Sequence, residues 1–315
     1  MIIKKYAESE QLKAMKLLLN RLPTKHPLYA KLSTEIQTTI AGDYGEEVVY
    51  RELEKIQLPY NYYLFHKVML RTEKIFEMDF LILTPFGAVI LEIKNIVGEL
   101  EFKINPSQLV QSKGNGEINR YPCPANQLNE YVYLLSSFFK SHDLSMPVYG
   151  AVIFASKNCY VKTSTNDMTI LYKNELYSFL RNLQNKTTII SDVKLRNIKD
   201  LIRKQKSTFN YFPLTKFYFI DQRDLIRGVA CERCGQVGMT KINNLWQCTS
   251  CQYSDRDASR KSIEHYFLLC EDYITNKACR QFLLLESRFQ VNRLFKRTGL
   301  KKVGNNRSTK YVRKF

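Results

Sequence analysis

The chain has no run of about 18 uncharged apolar residues, the length a membrane-spanning helix needs, so neither a bilayer span nor a membrane partner is expected. Met1 to Tyr6 lack the apolar core of a secretion signal, and the expectation is a cytoplasmic protein. No internal repeat and no low-complexity tract occurs, which argues against solenoid and tail-like architectures. Acidic residues are missing from Ser287 to Phe315, where ten Lys or Arg residues fall. That segment concentrates the net charge of +18, an excess that points to a polyanion as partner. Tryptophan occurs once, at Trp246. Four of the eight cysteines (Cys123, Cys159, Cys270 and Cys279) have no ligand spacing and read as buried thiols.

The other four form two pairs, Cys231/Cys234 and Cys248/Cys251, as CxxC-x13-CxxC. Without a secretion signal, that spacing indicates metal rather than disulfides. Four thiolates complete the closed tetrahedral shell of structural Zn²⁺, so a zinc ribbon is expected, with Leu245, Trp246 and Tyr253 covering it. Redox-active or unbound pairs are the alternative.

The most informative stretch runs from Phe76 to Asn95. It reads as two strands joined at Pro85-Phe86-Gly87, each nearly all apolar, as strands buried on both faces are. Asp79 interrupts the first strand, and Glu92 and Lys94 interrupt the second. Residues two apart in a strand share a face, so Glu92 and Lys94 project together and the turn brings Asp79 alongside. Two carboxylates and an amine in such a setting are costly unless paired or metal-bound. A hard cation, Mg²⁺ or Mn²⁺, suits Asp79, Glu92 and the backbone carbonyl of Ile93, with Lys94 beside it to position water or offset phosphate charge. An internal ion pair without chemistry is the plainer alternative.

Periodicity supplies the surroundings. A helix is expected over residues 8–21, followed by Pro23 and Pro27, in an N-terminal extension packed on the next domain. A second helix opens at Ala41-Gly42-Asp43-Tyr44-Gly45-Glu46-Glu47. Strands follow at Tyr62 to Leu70, in the central stretch, and at Gly98 to Ile104 as a possible fourth. Asn105 to Pro122 reads as a loop. A helix at Ala125 to Phe139, a strand at Val148 to Ala155, and helices at Asn174 to Leu183 and Asp192 to Lys206 complete an α/β core. Beyond the ribbon, three helices are expected: Asp257 to Cys270, Lys277 to Leu284, and one opened by Ser287 with Phe289, Leu294 and Phe295 inward. A β-hairpin follows, and together they make a winged helix-turn-helix pattern. Arg288, Asn292, Arg293 and Lys296 would then lie on the exposed side of the third helix. Lys301, Lys302, Arg307 and Lys310 would face phosphates.

Asp79 followed by Glu92-Ile93-Lys94 resembles the PD-(D/E)xK nuclease motif. The longer series (Gly42-Asp43-Tyr44-Gly45-Glu46, Met78-Asp79, Leu91 to Asn95 with Gly98, then Gln127) resembles the nuclease-related domain (NERD) family over about residues 38 to 156. The resemblance implies a restriction-endonuclease-like αβββαβ core and phosphodiester hydrolysis. It further implies Glu46 reaching the metal site through water, and Gln127, followed by Tyr131, contacting the site or the nucleic-acid backbone. For Glu46, an acid stabilising a helix N-terminus is the alternative. The sequence departs from the family in having Cys123-Pro124 before Gln127, no Trp after the Lys strand, and Met78 rather than Pro before Asp79.

The expected organisation is an extension (1–37), a nuclease-like domain (38–220), a zinc ribbon (228–254) and a basic winged-helix-like module (255–315). The expected function is metal-dependent hydrolysis of nucleic acid, DNA above all. The alternatives are a non-cleaving nucleic-acid-binding or sensing protein on the same core, and a metal-stabilised adaptor for an acidic protein. DNA against RNA, endo- against exonuclease, and oligomeric state are left open by the sequence.

Overall fold

The structure, a computed structural model, describes residues 2–4, 9–163, 168–187, 190–205 and 212–313, with the side chains of 2–4, Thr163 and Arg307 also outside the description. Contacts divide the chain into two units. One holds 1–7 and 40–209, and the other holds 8–39 and 210–315.

The chain starts with a short strand β1 (Ile2–Lys4) and helix α1 (Glu10–Arg21), capped by Ser9, whose hydroxyl accepts from the Leu12 N–H. A long helix α2 (Tyr29–Lys55) follows, and its residues from Ile40 belong to the first unit. Strands β2 (Tyr63–Arg71), β3 (Ile75–Thr84) and β4 (Gly87–Lys94) form an antiparallel meander. Next come β5 (Gly98–Lys103), β6 (Gln108–Ser112), β7 (Ile118–Pro122), helix α3 (Pro124–Lys140) and β8 (Val148–Phe154). Strands β9 (Cys159–Thr163) and β10 (Thr169–Tyr172) and helices α4 (Leu176–Asn182) and α5 (Asp192–Lys204) complete the unit. The sheet order is β1-β2-β3-β4-β8-β10, with β8 parallel to β4. Within it, α2-β2-β3-β4-α3-β8 realises the αβββαβ order read from the sequence.

Strand β4 explains why the central stretch is so apolar. Ala88 and Ile90 face a core built by α3 and α5, while Val89, Leu91 and Ile93 face a second core built by α2 and α4. A strand covered on both faces has no polar side to show, except where its end reaches the site. By the same alternation, Glu92 and Lys94 point to the α3 side.

Three expectations change here. Helix α2 begins at Tyr29, so Gly42 and Gly45 lie inside it. Its apolar residues serve two different cores (Leu32 and Ile36 in one, Val49 and Leu53 in the other), so no single stripe marks its full length. Asn105–Pro122 is no loop: it carries β6 and β7, and β5 joins them in a separate sheet ordered β7-β6-β5-β9. Residues 8–39 are no extension of the nuclease-like domain. Leu12, Met15, Leu18, Leu32 and Ile36 share a core with Leu214, Ile263 and Val291, and residues 210–220 also fall in the second unit.

The second unit continues with α6 (Leu214–Phe217) and a three-stranded sheet of β11 (Thr240–Ile242), β12 (Leu245–Gln247) and β13 (Ser254–Asp255). Helices α7 (Ala258–Leu269), α8 (Asn276–Leu283) and α9 (Arg288–Thr298) follow, with a strand β14 (Tyr273–Ile274) between the first two. Thr275 and Ser287 cap α8 and α9 through their hydroxyls. The hairpin β15 (Lys301–Val303) and β16 (Lys310–Val312) pairs with β14 in the order β14-β16-β15, a third strand that two residues were too short to announce. Arg21 is a charged side chain almost wholly buried in this unit, 1% exposed. Its guanidinium donates to the carbonyls of Ile226 and Gly228 and stacks 4.3 Å over the Phe282 ring, which ties α1 to the segment before the cysteines.

Candidate active site

The meander breaks its own alternation at one level. On β3, Phe76 and Met78 face the α3 core, but Phe80 and Ile82 face the α2 core. On β2, Val68 and Leu70 face one side, while Leu64 faces the other and His66 packs on Phe80. The switch falls at Lys67 and Asp79, which sit opposite each other between the pairs His66↔Phe80 and Val68↔Met78. Lys67 adopts φ 48°, a left-handed conformation that a lysine holds only at a cost. Past the last β3–β4 pair, Phe80↔Leu91, the Ile93 N–H donates to Asp79 Oδ2 at 2.7 Å. A carboxylate thus stands where the next main-chain acceptor would be. The Ile93 carbonyl leaves the strand on the same edge as that N–H.

Glu92 is 3% exposed, and Lys94 Nζ donates to its Oε1 at 2.7 Å and to Gln127 Oε1 at 3.2 Å. Gln127 Nε2 in turn donates to the Tyr131 hydroxyl at 3.1 Å. Helix α3 is Pro-started, and it comes close to the sheet because Leu128 lies over Gly150, where a Cβ would stand 2.9 Å from the leucine.

Glu46 reaches the same level from α2. Its Oε2 lies 2.6 Å from His66 Nε2 and its Oε1 3.2 Å from Lys67 Nζ, which also donates to Asp43 Oδ1 at 2.7 Å. A position three turns or more inside the helix excludes the N-terminal-acid alternative for Glu46. Gly45 permits the approach: a Cβ there would lie 2.5 Å from the Asn95 Cβ at the end of β4, whereas Gly42 meets nothing. Gly42→Ala is therefore expected to stabilise the fold by about 0.5–1 kcal/mol through helix propensity. Gly45→Ala is expected to destabilise it by about 1–3 kcal/mol through overpacking. Urea unfolding of both variants checks the opposite signs.

The site is short of solvent and rich in like charge. Burial pushes Asp79 up to about 7, with the Glu46 carboxylate adding to the effect. Burial pushes Glu92 up to about 8, helped by Asp79, and Glu46 up to about 7 against the pull of Lys67. Burial alone would lower Lys67, but Glu46 and Asp43 outweigh it and hold the amine protonated. Among the described residues, no three of these acids bring ligand atoms as close together as the cysteines below do. Two carboxylates plus a carbonyl match a small hard cation, which takes one or two carboxylates and fills the rest with water and phosphate.

The raised values set a direction with pH. The folded chain keeps protons on these acids that the unfolded chain, with values of 3.8 to 4.5, has released. Their contribution to stability is therefore complete below about pH 4 and is lost as pH rises to about 8. Without divalent metal, wild-type protein is expected to lose stability across that window relative to Glu92→Gln, and added Mg²⁺ is expected to reverse the loss most at the upper end. Thermal unfolding at a series of pH values reads both effects.

Residues 41–155 match the model of a family described as nuclease-related domain. Over that stretch, rather than over the whole chain, the protein is similar to nuclease-related domains. No curated protein and no solved structure matches the chain. The domain thus brings Asp79, Glu92, Ile93, Lys94, Glu46 and Gln127 to one level of the sheet. It adds His66 and Lys67, which the sequence did not single out, and gives a part to Asp43, which stood in the motif without a role. The signal for His66 and Lys67 was present: the pair interrupts Tyr63-Leu64-Phe65 and Val68 as Asp79 interrupts β3.

Outside the matched residues, the Sγ atoms of Cys231, Cys234, Cys248 and Cys251 lie within 4.8 Å of one another. The pairs Cys231–Cys251 and Cys234–Cys248 stand 3.7 and 3.5 Å apart, close to the edge of about 3.8 Å that four Zn–S bonds of about 2.3 Å dictate. Trp246 is buried and Tyr253 partly so, but Leu245 is exposed and covers nothing, because it sits on the outer face of β12. Cys159 is only half-buried, unlike Cys123, Cys270 and Cys279.

In the basic module, Arg288, Asn292, Arg293, Lys296, Lys301 and Lys302 are exposed. Phe289 is not inward: it is 77% exposed, and Val291 takes the buried position with Leu294 and Phe295. Lys310 Nζ lies 3.8 Å from the Tyr273 ring, engaged by the module itself. The Arg307 side chain lies outside the described residues.

Proposed function

We propose that the nuclease-related domain hydrolyses phosphodiester bonds of nucleic acid, DNA above all, with Mg²⁺ or Mn²⁺ held by Asp79, Glu92 and the Ile93 carbonyl. The observation that carries this reading is the coupled set of Asp79, where β3 switches faces, with Glu92 and Lys94 at the end of β4, two acids raised by burial beside a cation. When bound, the metal supplies Lewis-acid charge and a more acidic water. Lys94, held by Glu92 and Gln127, aims its ammonium at the reacting phosphate and positions the attacking water. Gln127 fixes Lys94 and is itself fixed by Tyr131. Glu46, oriented by His66 and Lys67, would contribute through the water around a bound metal. No helix among the described residues is long and apolar enough to cross a membrane.

The four-cysteine cluster holds structural Zn²⁺ as a zinc ribbon, and the full shell leaves it no open catalytic position. Four cysteines grouped as metal ligands and four others outside any disulfide suit a reducing compartment such as the cytoplasm. Helices α7 to α9 with the β14-β16-β15 sheet act as a winged helix that binds nucleic acid through α9 and the hairpin. The test is incubation of the pure chain with single- and double-stranded DNA and with RNA, each with Mg²⁺, Mn²⁺ or chelator. Metal-dependent cleavage of DNA is expected. Binding without any cleavage would select a non-cleaving sensor on the same core.

A further inference from the structure

Between α9 and the hairpin lies a cleft of about 880 Å³. Its floor is aromatic, with the Phe295 and Tyr311 rings 4.2 Å apart. Its wall carries Arg293, Lys296 and Lys302, with no acidic residue among the lining groups. Among the described residues none of these three cations has an ion-pair partner, whereas Arg297 and Arg313 of the same module are spent on Asp257 and Glu264. At the rim stands Phe289, 77% exposed on the first turn of α9. Asn292 lies one turn on, its Oδ1 accepting from Asn276 Nδ2 at 2.8 Å, which orients its own amide nitrogen without using it.

A basic wall alone suits any polyanion. An aromatic rim and floor between cations add something that a duplex backbone does not use. Paired bases keep their faces stacked on each other, while an unpaired base offers a free π-face to an aromatic side chain. We propose that this cleft receives an unpaired nucleotide of DNA, with its base stacked on Phe289, its edge met by the Asn292 amide and its phosphates by Arg293, Lys296 and Lys302. The module thereby directs the chain to single-stranded or overhanging ends rather than to uniform duplex. The inference rests on the reading of this module as a nucleic-acid binder.

The test measures binding of the full chain, without added divalent metal, to a labelled single strand, a duplex with a single-stranded overhang and a blunt duplex, by fluorescence anisotropy. Phe289→Ala is expected to weaken binding of the first two about tenfold and so to narrow their advantage over the blunt duplex. Phe289→Trp is expected to retain that advantage. Because Phe289 is exposed, neither variant disturbs the core. The paired change Arg293→Ala with Lys296→Ala is expected to weaken all three and to flatten the salt dependence. If that pair leaves every affinity unchanged, the module is no nucleic-acid binder and the inference falls with it. If the pair weakens binding but Phe289→Ala affects all three ligands equally, or none, only the stacking inference is overturned.

Discussion

Lys94→Ala is expected to lower the single-turnover rate of DNA cleavage by about a hundred- to a thousandfold, the range seen when one preorganised group that stabilises developing charge is removed. The size follows from how the amine is held. Lys94 Nζ makes two bonds, to Glu92 and to Gln127, while remaining partly open to solvent, so its direction is set before any substrate arrives. Removing it also leaves Glu92 buried without its cation. Its pKa, already about 8, would rise further, and at neutral pH the group would hold a proton that a metal must displace. Metal affinity should therefore fall with the rate. Gln127→Ala removes only one of the two anchors and should cost about tenfold, since Lys94 keeps Glu92. Equal rates for wild type and Lys94→Ala, at matched metal saturation, would remove the lysine from the chemistry.

Stripping zinc is expected to unfold the ribbon, and the sole tryptophan reports it. Trp246 lies on β12, buried, in one core with Cys231 and Cys248. The one short sheet of this region, β11-β12-β13, cannot bury enough surface to hold itself. Binding of structural zinc at such sites supplies on the order of 10–16 kcal/mol at neutral pH, comparable to the whole stability of a typical domain. A strong chelator should release one zinc per chain and shift Trp246 emission to the red. Cys248→Ser should produce the same spectrum without chelator. Because that core continues into α1 and α7, the loss should spread through the second unit. Unchanged emission after complete zinc removal would show that the four thiols pack without help from metal.

What could be read from the chain follows from where a signal was local. The β3–β4 pair was legible because burial on both faces leaves charge nowhere to hide: Asp79, Glu92 and Lys94 are conspicuous among Phe80 to Ile93. The cysteine pairs were legible by spacing alone. The start of α9 at Ser287 was legible from residue chemistry. Other features depend on partners distant in sequence. The core that joins α1 to residues 212–313 gives no mark within α1 itself, whose apolar stripe fits any neighbour. Strands β6 and β7 escaped because Pro106, Gly114 and Gly116 punctuate them, and their polar residues Gln111 and Asn119 bond each other. The switch of faces at Lys67 and Asp79 arises from pairing between two strands, which neither strand's pattern contains.

The central claim is that Asp79 and its neighbours hold a metal that cuts DNA. Its most direct test is cleavage of end-labelled DNA in Mg²⁺ by wild type and by Asp79→Asn, purified in parallel and shown to unfold at similar temperatures. The account predicts metal-dependent cleavage by wild type and loss of at least about a hundredfold in the variant, because the amide still accepts from Ile93 but brings no charge to the metal. Cleavage by Asp79→Asn at the wild-type rate would contradict it.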